Sequence, residues 1–107
     1  MREICLARLD KTRPVLVLTR GAARGAMTKV TVAPITSTVK GLSSEVPVGP
    51  ENGLDHGSVV SLDNVVTIPV GLLGETIGFL TEGQETLLAH AIVLAFDLDL
   101  PLLRDVV

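Results

Sequence analysis

An arginine set just before a proline and a threonine that closes a proline-containing run are the two positions here whose residue types suit phosphate chemistry. Arg13 opens Arg13-Pro14-Val15-Leu16, and Thr36 opens Thr36-Ser37-Thr38 after Pro34-Ile35. A guanidinium is a permanent positive fork that matches two phosphate oxygens. A hydroxyl can donate to the charge that develops on a phosphorane oxygen. Phosphoryl transfer within RNA needs no metal in principle, because the ribose 2′-hydroxyl is a built-in nucleophile. The residues come together if the runs 13–19 and 29–35 pair as a hairpin through residues 20–28, which puts Arg13 and Thr36 at one end of a sheet. Spacing alone is met equally by an arginine capping a strand at the surface and a β-forming threonine at a strand end.

Little else in the chain suits a reaction centre. His56 and His90 are far apart and lack partners at metal-ligand spacing. His56 stands in a glycine-rich stretch and reads as solvated; His90 lies in a helical stretch and reads as a core or interface residue. Cys5 is the single cysteine, which excludes an intramolecular disulfide and a cysteine zinc site. In its apolar strand it reads as a small buried hydrophobe. No phosphate-binding loop, zincin motif or nucleophile elbow is present. No metal and no cofactor is expected.

The elements that must position the pair are short. Residues 3–9 read as a strand. Val15 to Thr19 is β-branched and apolar on both faces, which suits a buried strand, with Pro14 at its first position. Residues 21–26 read as a loop. Lys29 to Ile35 reads as a third strand, and Pro34 marks a bulge or an edge in it. Further short strands are expected at 44–48, within 58–68 and at 75–80, with a helical turn at 70–73. Thr81-Glu82-Gly83-Gln84 fits a capping box that opens a helix. From Ala91 the helix is apolar nearly all round and needs cover on more than one side, which predicts a homodimer. The fold class that follows is mainly β with a C-terminal helix, a small bent barrel in one domain over 1–107.

Composition bounds the rest. The chain has 107 residues, 47% hydrophobic and 20% charged, which excludes an intrinsically disordered chain and suits one core. No apolar stretch is long enough for a signal segment or a membrane span, so a soluble cytoplasmic protein is expected. The net charge of −3 conceals a split. Residues 1–40 hold eight basic and two acidic residues, +6, and residues 41–107 hold one basic and ten acidic, −9. The split suits either a basic groove for an anionic partner on an acidic body or, if the fold interleaves the two segments, a mixed surface. Aromatic content is 2%. With Phe79 and Phe96 expected in the core, base recognition falls to hydrogen bonds and arginine stacking.

Four blocks in register resemble the MazF/PemK-type toxins of type II toxin–antitoxin systems. These are Arg13-Pro14-Val15-Leu16-Val17-Leu18-Thr19, Val32-Ala33-Pro34-Ile35-Thr36-Ser37-Thr38, Ser58-Val59-Val60 through Leu62-Asp63-Asn64-Val65, and Ile77-Gly78-Phe79-Leu80-Thr81. The resemblance covers nearly the whole chain. It implies an SH3-like, CcdB-like barrel that forms a homodimer. It implies a metal-independent, sequence-specific endoribonuclease that cleaves single-stranded RNA to 2′,3′-cyclic phosphate and 5′-hydroxyl ends. It also implies a cognate antitoxin as partner. By matching position the family's essential arginine is Arg13 and its essential threonine Thr36. Arg20, Arg24, Lys29, Ser37 and Thr38 are expected to bind RNA.

Three departures from the family pattern stand out. Arg2-Glu3-Ile4-Cys5 replaces an opening Gly-Glu-Ile with an aromatic, the segment before Arg13 is short, and Asn64 and Val66 stand where glutamine and arginine are common. Two other readings compete: a CcdB-like gyrase poison and a catalytically silent partner-binding barrel. The gyrase poisons commonly carry an exposed tryptophan near the C-terminus, and this chain has no tryptophan.

Overall fold

Apolar residues on both faces of Val15 to Val17 demand cover from two sides, and the fold supplies it. The structure, a computed structural model, describes residues 2–99. Its elements are β1 (Glu3–Arg8), β2 (Thr12–Val17), α1 (Gly21–Arg24), β3 (Lys29–Thr36), β4 (Glu45–Val48), β5 (Ser58–Ser61), β6 (Val66–Pro69), β7 (Leu73–Phe79) and α2 (Glu82–Ala95). Single 3-10 turns lie at Pro50–Asn52, Leu62–Asn64 and Val70–Leu72. The strands run β4-β5-β3-β2-β1-β7, and β6 also pairs with β3, so the sheet curls into a half-barrel. The fold is mainly β with a C-terminal helix, as expected. The run 58–68 resolves into the two strands β5 and β6. Residues 21–26 differ from expectation: they hold the one-turn helix α1, because Ala22 and Ala23 favour helix and Ala23 N donates to Arg20 O at 3.1 Å.

Strand alternation sorts the core into two layers. Ile4, Leu16, Ala33, Ile35, Val46, Val60, Leu62, Leu80, Leu88 and Ala91 form the layer beneath α2. Cys5, Ala7, Val15, Val17, Val30, Val32 and Ile68 form the other, which β6 closes. Cys5 is buried as expected, and burial pushes its thiol pKa up. Pro34 falls where the partner of β3 changes, after the β6 ladder ends at Val32 and before the β5 ladder begins at Ile35. Its missing donor therefore costs no sheet hydrogen bond on that side. Phe79 and Phe96 are not core residues. Phe79 lies at the end of the outermost strand β7 and is 41% exposed, and Phe96 follows the last turn of α2 and is 54% exposed.

One buried polar knot joins the 3-10 turn at Pro50–Asn52 to the start of α2. The Thr81–Gln84 capping box forms as expected, with Gln84 N donating to Thr81 Oγ1 at 3.2 Å and Thr81 N to Gln84 Oε1 at 2.9 Å. The Gln84 amide also pairs reciprocally with the Asn52 amide, at 2.7 and 3.0 Å, and donates to Pro47 O in β4 at 3.2 Å. Asn52 Nδ2 donates to Phe79 O at 2.9 Å. The backbones cross closely here. A Cβ on Gly78 would lie 1.8 Å from Asn52 O, and one on Gly53, whose φ is +85°, would lie 2.0 Å from Ile77 O. Replacing Gly78 with alanine is therefore expected to destabilise the fold by about 1–3 kcal/mol, the usual cost of overpacking. Urea unfolding measures this, and an unchanged midpoint would contradict it.

Candidate active site

The β2–β3 pairing decides where the two candidate residues stand. Val15 lies opposite Pro34, Leu16 opposite Ala33 and Val17 opposite Val32. Two residues further along the same register, Arg13 comes level with Thr36. Both line two adjoining clefts that meet at them. The first, about 440 Å³, is also lined by Lys11, Thr12, Ser37, Asp55, His56 and Ser58. The second, about 500 Å³, is also lined by Leu9, Thr38, Lys40, Glu45, Asp63 and Asn64. Arg13, Thr36 and Ile35 are common to both, so the pair forms a ridge with a depression on each side. A polynucleotide crossing that ridge would set one phosphate at the pair and a nucleotide in each cleft.

Arg13 is held by Asp10 across the tight β1–β2 turn. Its Nε donates to Asp10 Oδ1 at 2.8 Å and its Nη2 to Asp10 Oδ2 at 2.9 Å. The guanidinium hydrogen bonds hold the Asp10 carboxyl far below the usual carboxylate range, and the carboxylate raises the Arg13 pKa further. Arg13 is therefore a fixed cation with no capacity to give up a proton. Thr36 Oγ1 accepts from Thr38 N at 3.1 Å, which leaves its own proton available to donate.

The other basic candidates are not brought to this ridge. Arg20 and Arg24 line a separate cleft of about 220 Å³ with Arg2, Glu3 and Thr19, and Arg24 forms an ion pair with Glu3. Lys29 is exposed at the far end of β3, seven residues from Thr36, which is up to about 23 Å along a strand. Ser37 lines the first cleft and Thr38 the second.

Of the two surfaces that the charge split allowed, the groove is the mixed one and not the basic one. Pairing of β4 and β5 onto β3 carries Glu45 and Asp63 from the acidic segment to the cleft that holds Lys40 and Thr38. Both acids are engaged there: Glu45 accepts from Gly41 N at 2.9 Å and Leu42 N at 3.1 Å, and Asp63 accepts from Ser44 Oγ. Sequence reasoning missed Asp10 as the partner that holds Arg13 and His56 as a cleft residue. The spacing of Asp10 three residues before Arg13 was a signal for the first. For His56 only the fold makes the connection.

Residues 3–96 match the family model described as PemK-like, MazF-like toxin of type II toxin-antitoxin system. This chain belongs to that toxin family. Among curated relatives of the toxin, Endoribonuclease MazF3 of Mycobacterium tuberculosis is 61% identical over 99 residues, 92% of this chain and 96% of the relative. The Probable endoribonuclease MazF5 of the same species is 36% identical over 86 residues, 79% of each. The solved structure of Mycobacterium tuberculosis toxin MazF-mt6 superposes with a TM-score of 0.91 at 60% identity, covering 92% of this toxin and all of that chain. No helix among the described residues is long and apolar enough to cross a membrane.

The Asp10–Arg13 pair makes a pH prediction. A carboxyl whose folded pKa is depressed contributes stability that is present above its unfolded pKa, about 3.9, and is lost as pH falls through the lower folded value. Carbon-13 NMR should therefore show Asp10 still ionised at about pH 3, and Arg13→Gln should return its titration to the ordinary carboxylate range. An ordinary Asp10 titration in the unmodified chain would show that the pair does not form.

Proposed function

We propose that this toxin is a metal-independent endoribonuclease that cuts single-stranded RNA at the ridge formed by Arg13 and Thr36. The observation that carries the reading is the shared lining of both clefts by these two residues. Arg13, oriented by Asp10 through Nε and Nη2, binds the scissile phosphate with its remaining guanidinium protons. The Thr36 hydroxyl donates to a phosphorane oxygen. The ribose 2′-oxygen attacks phosphorus and the 5′-oxygen leaves, which yields a 2′,3′-cyclic phosphate and a 5′-hydroxyl. Ser37 and Thr38 follow Thr36 into the two clefts and serve the flanking nucleotides. Arg20, Arg24 and Lys29 act only at a distance, as contacts for RNA that extends beyond the ridge. A cognate antitoxin restrains the activity in the cytoplasm, in keeping with the family. The gyrase-poison reading is set aside, because the relatives that match are endoribonuclease toxins.

The toxin works as a homodimer in this reading. Leu87, Leu94 and Phe96 on and beside α2 are about half exposed, more apolar surface than one short helix ordinarily leaves in water.

Purified toxin in EDTA should cut a long unstructured RNA into discrete fragments with 5′-hydroxyl ends. Removing one transition-state donor typically costs about 100- to 1,000-fold, so Arg13→Ala and Thr36→Ala should each lose that much activity. Intact RNA from folded wild-type protein would leave the silent barrel as the answer. Equal cutting by Arg13→Ala would remove the ridge from the mechanism. Sedimentation at micromolar concentration should give about twice the 11.2 kDa chain mass, and a mass of one chain would refute the dimer.

A further inference from the structure

Arg13 and Thr36 leave one requirement of the proposed reaction unmet. Attack by the 2′-oxygen releases a proton, and something must accept it. Arg13 cannot, since its guanidinium is a donor locked to Asp10. Thr36 is engaged as a donor to the phosphorane in this scheme. The charged and titratable side chains lining the first cleft are Lys11 and Arg13 from the β1–β2 hairpin and Asp55 and His56 from the loop before β5; β3, β5 and β7 present only Ile35, Thr36, Ser58 and Ile77, with Ser37 just past β3. Lysine is ordinarily protonated at neutral pH, and a carboxylate is ordinarily a far weaker base than imidazole. Imidazole is the side chain whose ordinary range brackets neutrality, where a general base is most effective.

The loop that carries His56 is anchored at both ends, and the residue is exposed at the cleft. On one side Asn52 is buried in the knot with Gln84 and Phe79 O. Gly53 passes so close to Ile77 O that no side chain fits. On the other side Ser58 Oγ donates to His56 O at 3.2 Å, just before β5 pairs with β4. His56 itself is exposed and lines the cleft with Arg13 and Thr36.

We propose that His56 is the general base of RNA cleavage, accepting the 2′-hydroxyl proton in the cleft beside Arg13 and Thr36. The proposal rests on the ribonuclease reading above. As the 2′-oxygen–phosphorus bond forms, the 2′ proton passes to the neutral imidazole. The phosphorus–5′-oxygen bond breaks, and solvent water protonates the leaving 5′-oxygen. The imidazolium then returns its proton to solvent, so nothing is oxidised or reduced and no net proton is consumed.

Single-turnover cleavage of an unstructured RNA by the full chain in EDTA, followed from pH 5 to 8.5, tests this. The wild-type rate should rise with pH and then reach a plateau. His56→Gln should be about 100-fold slower on the plateau, the low end for general-base catalysis, and should lose the rising limb. It should still bind a 2′-deoxy analogue of the substrate within about twofold of wild type, which separates loss of a base from loss of a fold or a binding contact. A substrate with a 5′-bridging sulfur, which leaves without a proton, should not rescue His56→Gln. Asp55→Asn should keep the rising limb. A wild-type rate or an intact limb in His56→Gln overturns the proposal, as does rescue by the sulfur substrate, or loss of the limb in Asp55→Asn instead. If the wild type cuts RNA and Arg13→Ala does not, these outcomes fall on His56 alone. If the wild type cuts nothing, the ribonuclease reading and the base both fall.

Discussion

Val15 opposite Pro34, in the ladder between β2 and β3, is the constraint on which the cleft depends. Side chains alternate along a strand, so a slip of one residue would turn every side chain of β2 to the other face. The core does not permit that slip. Leu16 fills the layer beneath α2, while Val15 and Val17 fill the layer under β6, and the two sets differ in size and neighbours. The apolar packing of three residues therefore fixes Arg13 relative to Thr36. Pro14 reinforces the arrangement by biasing Arg13 toward extended backbone, and Asp10 then holds the guanidinium from across the turn.

Much of this was legible in the residues. The two-sided burial of Val15 to Val17, the hairpin between residues 13–19 and 29–35, and the Thr81–Gln84 box all leave local signatures, and all appear in the structure. Pro34 was legible as an irregularity, though only the topology shows it at the handover from β6 to β5. What was not legible is whatever depends on long-range pairing. His56 is 20 residues beyond Thr36 in the sequence and reaches the same cleft only because β5 pairs with β3 at Thr36 and Val59. Residue type alone points the two phenylalanines to the core. Their exposure follows from their positions at an outer strand and beyond a helix end, which composition does not report.

The charge pattern had a similar fate. A +6 segment followed by a −9 segment describes the chain, not the surface. Once β5 pairs with β3 and β4 with β5, both signs line the groove: Lys11 and Asp55 on one side of the Arg13–Thr36 ridge, and Lys40, Glu45 and Asp63 on the other. Such a groove draws less of its affinity from phosphate contacts than a wholly basic one, and more from polar groups already fixed by backbone hydrogen bonds. The Glu45 carboxylate, held by Gly41 N and Leu42 N, fits that description, and Asp63 is held by the Ser44 hydroxyl instead.

Pro47 on β4 has a consequence of a different kind. As an outermost strand of the sheet, β4 would ordinarily offer its backbone to any passing extended chain. Pro47 withholds one donor, and Gln84 on α2 occupies the Pro47 carbonyl. A sheet terminated in this way is a poor template for further strands. The β4 edge therefore resists the edge-to-edge growth that ends in fibrils, even with half-exposed leucines nearby on α2.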